Sequence, residues 1–340
     1  MQYHIIDSIE GENGNIWGNI LDGKYKDKNL LVYNVYEASL SPETDYYELG
    51  KYVKSYTEIT GASNDNRFTP RRDNVHIILW PYYWLSNTIN KFSKHNYKHG
   101  LKVFKEINAS PPPTHMFTSM IRQPRPHREM FWDLLKSRNM VNEFCSYAPE
   151  GVHLDLKEQV SEGQTFFHND DKMIGSQTHK MPPWYSDVLF DVICETHHED
   201  NMMFFTEKTW KAILGLKYPL ILGAKDMHQK LLDLGFKFPW SLPDRFDREK
   251  HVYNRAKQLV LTLEYVQEAM DKRVSQFGKS VTFGDLYNEW KNDLLHNQRL
   301  ALNLCAENPP TNFGSVPCPP EWYQSWSVSR EISSNITANL

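Results

Sequence analysis

Apolar and polar positions fall into short, regular runs along this chain, and the runs alternate in type. Asn-Leu-Leu-Val-Tyr-Asn-Val-Tyr at 29–36 predicts a strand ending at Glu37, and Asn-Val-His-Ile-Ile-Leu-Trp at 74–80 predicts a second. Helical spacing is expected over about 42–56 and 84–94. His-Met-Phe-Thr-Ser-Met-Ile at 115–121 reads as a third strand, and Pro126 suits the first turn of a helix running from 127 to 136. The fullest pattern spans 190–223. Phe190, Val192 and Cys194 form a buried strand ending at Glu195, and a polar loop follows. Thr206 is then placed to cap a helix carrying Trp210, Ala212, Ile213 and Leu216. Tyr218-Pro219 ends that helix, and Leu-Ile-Leu-Gly at 220–223 begins another strand. Asp226 is expected to cap a short helix ended by Gly235, and two long helices are expected over about 250–276 and 283–306.

Strand, loop, helix and strand in that order make the parallel crossover of an α/β layer. A length of 340 residues accommodates two domains, and Ala-Ser-Pro-Pro-Pro-Thr at 109–114 is the clearest linker. The expected division is an N-terminal α/β domain over 1–110 and a second α/β domain over 115–282. A long helix over 283–306 and an irregular, proline- and serine-rich tail over 307–340 complete it.

Composition narrows the class. With 40% hydrophobic and 24% charged residues, and no apolar run near the ~18 residues a bilayer crossing needs, a membrane span is not expected. The first residues lack the basic and apolar regions of a secretory signal, so a cytoplasmic location is expected, where the sequons at Asn108 and Asn335 would go unused. Cys145, Cys194, Cys305 and Cys318 are dispersed without a CxxC pair, which argues for free thiols rather than zinc or a disulfide framework. A net charge of -4 provides no overall attraction for nucleic acid.

Ligands of parallel sheets bind beyond the carboxyl ends of strands, which places Glu195, Thr206, Glu207 and Lys208 on the rim of a crevice. A lysine in a helix's first turn opposes the macrodipole at a cost of some tenths of a kcal/mol, a cost that a bound phosphate would reverse. A surface Glu-Lys pair is the plain alternative. Arg122, Arg125 and Arg128 crowd the turn after the 115–121 strand, where guanidinium forks and helix-start amides could hold a diphosphate. The acidic pairs Asp170-Asp171 and Asp244/Asp247, and the run His197-His198-Glu199-Asp200, offer no convincing ligand set, so no metal is expected.

The order Glu195, polar gap, Phe204, Thr206-Glu207-Lys208, helix, Pro219, Leu222-Gly223 resembles the donor-binding motif of the alpha-1,3-fucosyltransferases, best over about 185–223 and more weakly back to about 114. The chain is also similar to small glycosyltransferase-like proteins of large tailed phages. The resemblance implies a GT-B fold, two Rossmann-like α/β domains facing across a cleft, with terminal helices bracing the N-terminal domain. It also implies transfer of sugar from a nucleotide-diphosphate donor to an acceptor hydroxyl; the basic residues placed at the diphosphate and the lack of a well-placed carboxylate pair predict that this transfer needs no metal or further cofactor. Lys208 and an arginine would then meet the diphosphate, Arg128 being the closest match and Arg122 an alternative, and Glu207 would bind the ribose hydroxyls. Phe204 stands where the family usually has tyrosine, without that hydroxyl. Glu195 would orient the sugar or offset oxocarbenium charge. The base should come from the facing domain, and Glu37 at its strand end is the candidate, with an ordinary rim carboxylate as the alternative. The acceptor could be a glycan or a hydroxymethylated base of phage DNA, with Lys51, Lys54, Arg67, Arg71 and Arg72 available to phosphates. A non-catalytic binder of sugars or nucleotide sugars would keep the same fold.

Overall fold

The computed structural model describes residues 4–7, 16–34, 46–60, 73–79, 82–121, 123–147, 150, 183–198, 204–278, 280–307 and 320–340. Two parallel four-stranded sheets organise them. The first contains β1 (His4–Asp7), β2 (Asn29–Asn34), β3 (Ser55–Thr60) and β4 (Val75–Leu79), hydrogen-bonded in that sequential order. Two short helices, α1 (Ile16–Leu21) and α2 (Tyr46–Leu49), lie along this part of the chain. Its core is small: Ile6, Ile20, Tyr25, Leu30, Val32, Leu49, Val53, Tyr56 and Val75. The helix expected over 42–56 is largely absent among the described residues. Ser-Tyr-Thr-Glu-Ile-Thr at β3 has strand chemistry, with a threonine or isoleucine at three of its six positions, and it pairs in register with β2, Leu30 opposite Tyr56 and Tyr33 opposite Ile59.

The second sheet contains β5 (His115–Ile121), β6 (Cys145–Tyr147), β7 (Val188–Cys194) and β8 (Tyr218–Leu222), ordered β6-β5-β7-β8 and wholly parallel. Every residue of β7 and of β8 is buried, as expected for parallel strands covered on both faces. The helices are α3 (Tyr83–Ser93), α4 (Tyr97–Asn108), α5 (Pro126–Ser137), α6 (Glu207–Leu214), α7 (Met227–Asp233), α8 (Val252–Phe277), α9 (Phe283–Glu307) and α10 (Pro320–Asn339). None of the described helices is long and apolar enough to cross a membrane.

Packing divides the chain earlier than the proline-rich stretch. Leu85, Ile89 and Phe92 of α3 and Val103, Phe104 and Ile107 of α4 share one continuous core with Phe117, Phe190, Trp210, Leu220 and Trp290. Residues 109–114 therefore connect α4 to β5 inside this unit, and the Thr114 N–H donates to Asp187 O at 2.9 Å. An apolar helical face shows that a helix is buried and not which sheet receives it.

The tail expected to be irregular ends in a helix. α10 buries Trp326, Ile332 and Ile336 against α3, α4 and α9, and the Ser86 and Ser329 hydroxyls bond at 2.6 Å. Gly100 permits the approach: a Cβ there would stand 2.8 Å from Ser93 Cβ and 3.1 Å from Ile336 Cδ1. Serines depress helix propensity only modestly, and here they form a close, polar-lined contact that composition conceals. α10 therefore makes the brace across α3 and α4, whereas α9, expected in that role, packs mainly on α6 and α10.

A second buried polar group lies along β7. Asp191 accepts from Tyr185 Oη at 2.6 Å and pairs with Lys211 at 3.4 Å, and buried Lys217 donates to Ser186 O at 3.0 Å. Burial depresses Lys217 from its ordinary 10.5 to about 7, although Asp187 and Asp191 act in the opposite direction. The unfolded chain therefore binds more protons than the native state between pH 7 and 10.5, so stability rises with pH through that window. Lys217→Met is expected to be more stable than the parent at pH 7 by about 2–4 kcal/mol, a gain that shrinks as pH approaches 10. Urea unfolding of both proteins at pH 7 and 9.5 checks it; a gain independent of pH would show that packing rather than ionisation is responsible.

Candidate functional site at the divergence of two crossovers

From β5 the chain crosses through α5 to β6 on one side, and from β7 it crosses through α6 to β8 on the other. Right-handed crossovers running in opposite directions put their helices on opposite faces. Accordingly α5 packs on α8, and α6 packs on α3 and α9. The carboxyl ends of adjacent β5 and β7 thus form the switch point at which open α/β sheets bind ligands.

On the β7 side the site is built around Glu195. This carboxylate is fully buried: Oε1 accepts from Thr206 N at 3.1 Å and Thr209 Oγ1 at 2.7 Å, and Oε2 accepts from Thr206 Oγ1 at 2.7 Å. Gly223 lies against it, since a Cβ there would meet Glu195 Cβ at 3.2 Å. Thr206 caps α6 as expected, its hydroxyl accepting from Lys208 N at 3.3 Å and from Lys208 Nζ at 3.1 Å. Lys208 folds back further, with Nζ 3.2 Å from Glu207 Oε1 and 3.9 Å from Glu195 Oε2. The lysine that opposes the helix dipole is thereby held by two carboxylates at the helix mouth. Glu195, expected beside the sugar, is buried with both oxygens accepting hydrogen bonds from the α6 start.

On the β5 side, α5 begins with Pro126 in its first turn. Arg125 Nη1 donates to Thr196 O at 2.9 Å, His127 Nε2 meets Glu195 O at 2.9 Å, and Arg128 Nη2 donates to Cys194 O at 3.2 Å. Three consecutive carbonyls at the β7 exit are thus held by three side chains of the neighbouring turn. Burial lowers the Arg128 guanidinium below its ordinary value, with Cys194, Glu195 and Glu207 among the groups acting against that shift. Burial pushes the Cys194 thiol up to about 12, so it is no nucleophile.

Arg125, Arg128, Glu195, Thr206, Glu207 and Lys208 are brought together. Phe204 is buried with its ring 6.0 Å from that of His197. Glu37, Arg122, Arg67, Arg71, Arg72, Asp170, Asp171, Glu199 and Asp200 lie outside the described residues. Lys51 and Lys54 are exposed near the first sheet. Among the described residues no group of His, Cys, Asp and Glu is arranged to hold a metal. The adjacent histidines face different rings, His198 at 4.3 Å from His127 and His197 toward Phe204. Asp247 is engaged elsewhere. It accepts from His228 Nδ1 at 2.9 Å and from the N–H groups of His228 and Gln229, and so caps α7 in place of the expected Asp226, which has positive φ and no side-chain cap.

Arg255 carries no sequence signal, being one arginine in a long amphipathic helix. It is buried at the start of α8 and donates to His198 O at 2.6 Å and to Glu249 O and Lys250 O at 2.7 and 2.8 Å, tying a third helix start to the same loop. Comparison with protein-family models, curated proteins and solved structures found no match.

Proposed function

We propose that the chain is a glycosyltransferase that takes a sugar from a nucleotide-diphosphate donor bound at the β5/β7 switch point. The observation that carries this reading is the cluster of cations at that point. Arg125, Arg128 and Lys208 gather with Glu195 and Glu207 where the first turns of α5 and α6 converge, and the further carboxylate of the α5 turn, Glu129, is exposed. Helix-start amides and clustered cations favour an anion, and a leaving diphosphate is the anion that sugar transfer must stabilise. Lys208, whose side chain is 18% exposed, and half-buried Arg125 are the cations able to reach it. Glu207 beside it has the acceptor oxygens that ribose hydroxyls need. The resemblance to alpha-1,3-fucosyltransferases adds the sugar and the GT-B arrangement, with Glu37 of the facing domain as the base that takes the acceptor's proton.

The reading is tested by thermal shift and mass spectrometry against a panel of nucleotide sugars, with and without EDTA. Stabilisation by at least one donor is expected, together with slow hydrolysis to the nucleoside diphosphate that persists in excess chelator, because the cations replace a metal. Binding without any turnover would make the chain a carbohydrate-binding protein, and no binding would remove the nucleotide-sugar reading.

A further inference from the structure

His127 stands in the first turn of α5 and is 2% exposed. Its Nε2 lies 2.9 Å from Glu195 O, and a carbonyl oxygen can only accept, so Nε2 carries the proton. The ring stays neutral: burial first, then His198, Arg128 and Arg125, lower its pKa to about 3 despite the carbonyl partner. Nδ1 is therefore a lone pair, and it has no hydrogen-bond partner among the described residues. Arg128 Nε is likewise buried and without a partner among them. A phosphate oxygen would be repelled by a lone pair. A hydroxyl is not, because it donates to one atom and accepts from another.

We propose that His127 is a specificity residue of the switch-point crevice, its Nδ1 accepting a hydrogen bond from a hydroxyl of the bound nucleotide sugar. The inference rests on the nucleotide-sugar reading of that crevice and divides it by chemistry: Lys208 and Arg125 take the anionic part, and His127 takes a neutral one. The hydroxyl belongs to the ribose or to the sugar. A pocket with a buried acceptor rejects ligands lacking the matching donor far more strongly than an apolar pocket rejects an added group.

Two variants isolate the atom. His127→Gln keeps an N–H near the Nε2 position for Glu195 O and removes the Nδ1 acceptor, whereas His127→Asn keeps an acceptor near Nδ1 and removes the far donor. Calorimetry would use UDP, GDP and ADP, their 2′- and 3′-deoxy forms, and UDP-glucose and GDP-mannose. The parent is expected to lose about tenfold or more in affinity when the recognised hydroxyl is absent. The Gln variant should bind complete and deficient ligands alike, and the Asn variant should retain part of the discrimination. Loss on ribose deoxygenation assigns a ribose hydroxyl; a gain confined to a nucleotide sugar assigns the sugar. Imidazole 15N spectra of the parent, which need no variant, should show Nδ1 unprotonated and shifted on binding. A protonated Nδ1, or discrimination unchanged in the Gln variant, overturns the inference while nucleotide binding stands. If no nucleotide binds the parent, the nucleotide-sugar reading and this inference fall together.

Discussion

Glu195→Ala is expected to remove about 3–5 kcal/mol of folding stability, the range typical of breaking a buried charged network by deleting one partner. The carboxylate accepts three hydrogen bonds within 3.1 Å and is fully buried, so its loss leaves the Thr206 N–H and the hydroxyls of Thr206 and Thr209 without acceptors in a space closed to water. It also leaves Lys208 with one carboxylate where it had two. Glu195→Gln should cost less, about 1–2 kcal/mol. Its amide would face Thr206 Oγ1, which already accepts from Lys208 N and Nζ and would have to give up donating to residue 195. Urea unfolding gives both numbers, with an unchanged m-value showing that the comparison concerns stability alone. An alanine variant within about 1 kcal/mol of the parent would mean that the strand end and the α6 start are held by packing rather than by this carboxylate.

What could be read from residues alone was local. Thr206 as a cap, Pro126 in a first turn, β5 and the apolar run that becomes β7 all follow from periodicity and end-chemistry within a few residues of each other. Placing Lys208 beside Glu207 at a strand's carboxyl end needed no more than that. The role of Glu195 needed the third dimension: a glutamate ending a strand looks the same on paper whether it faces a ligand or closes on Thr206 and Thr209. The same holds for Arg128, whose guanidinium donates to the carbonyls of Gln123 and Cys194. Arg255 and His127 were not legible because their partners are backbone atoms, and a carbonyl has no residue type. β3 was misread because a strand of mixed polarity, Ser55–Thr60, follows a weak helical spacing, and its in-register neighbours supply the stabilisation that its own pattern does not advertise. α10 was misread from composition, since the prolines of the preceding stretch mark a break and say nothing about the helix that begins at Pro320.

Lys208→Ala should abolish donor binding with little effect on the fold. The side chain is 18% exposed, so deleting it opens no cavity in the core, and Glu195 keeps its three shorter hydrogen bonds. Stability is expected within about 1 kcal/mol of the parent, a partly solvated pair being worth little. Function should respond very differently. In the parent the ammonium balances buried Glu195 and neighbouring Glu207 at the mouth of α6; without it only arginines of the neighbouring turn offset the two negative charges, and a diphosphate would be repelled. Loss of one preorganised donor to developing charge typically lowers turnover about 10²–10³-fold. Lys208→Arg should recover part of that, since charge returns but the longer planar fork does not reproduce the contact between Nζ and Thr206 Oγ1. Lys225→Ala provides the control, because Lys225 pairs with Asp226 on the surface and removes the same unit charge. Calorimetry with the donor identified in the nucleotide-sugar screen decides the matter. Equal affinity in Lys208→Ala and Lys225→Ala would show that the protein's overall charge, and not the α6 mouth, draws the ligand, and the switch point between β5 and β7 would lose its claim to be the donor site.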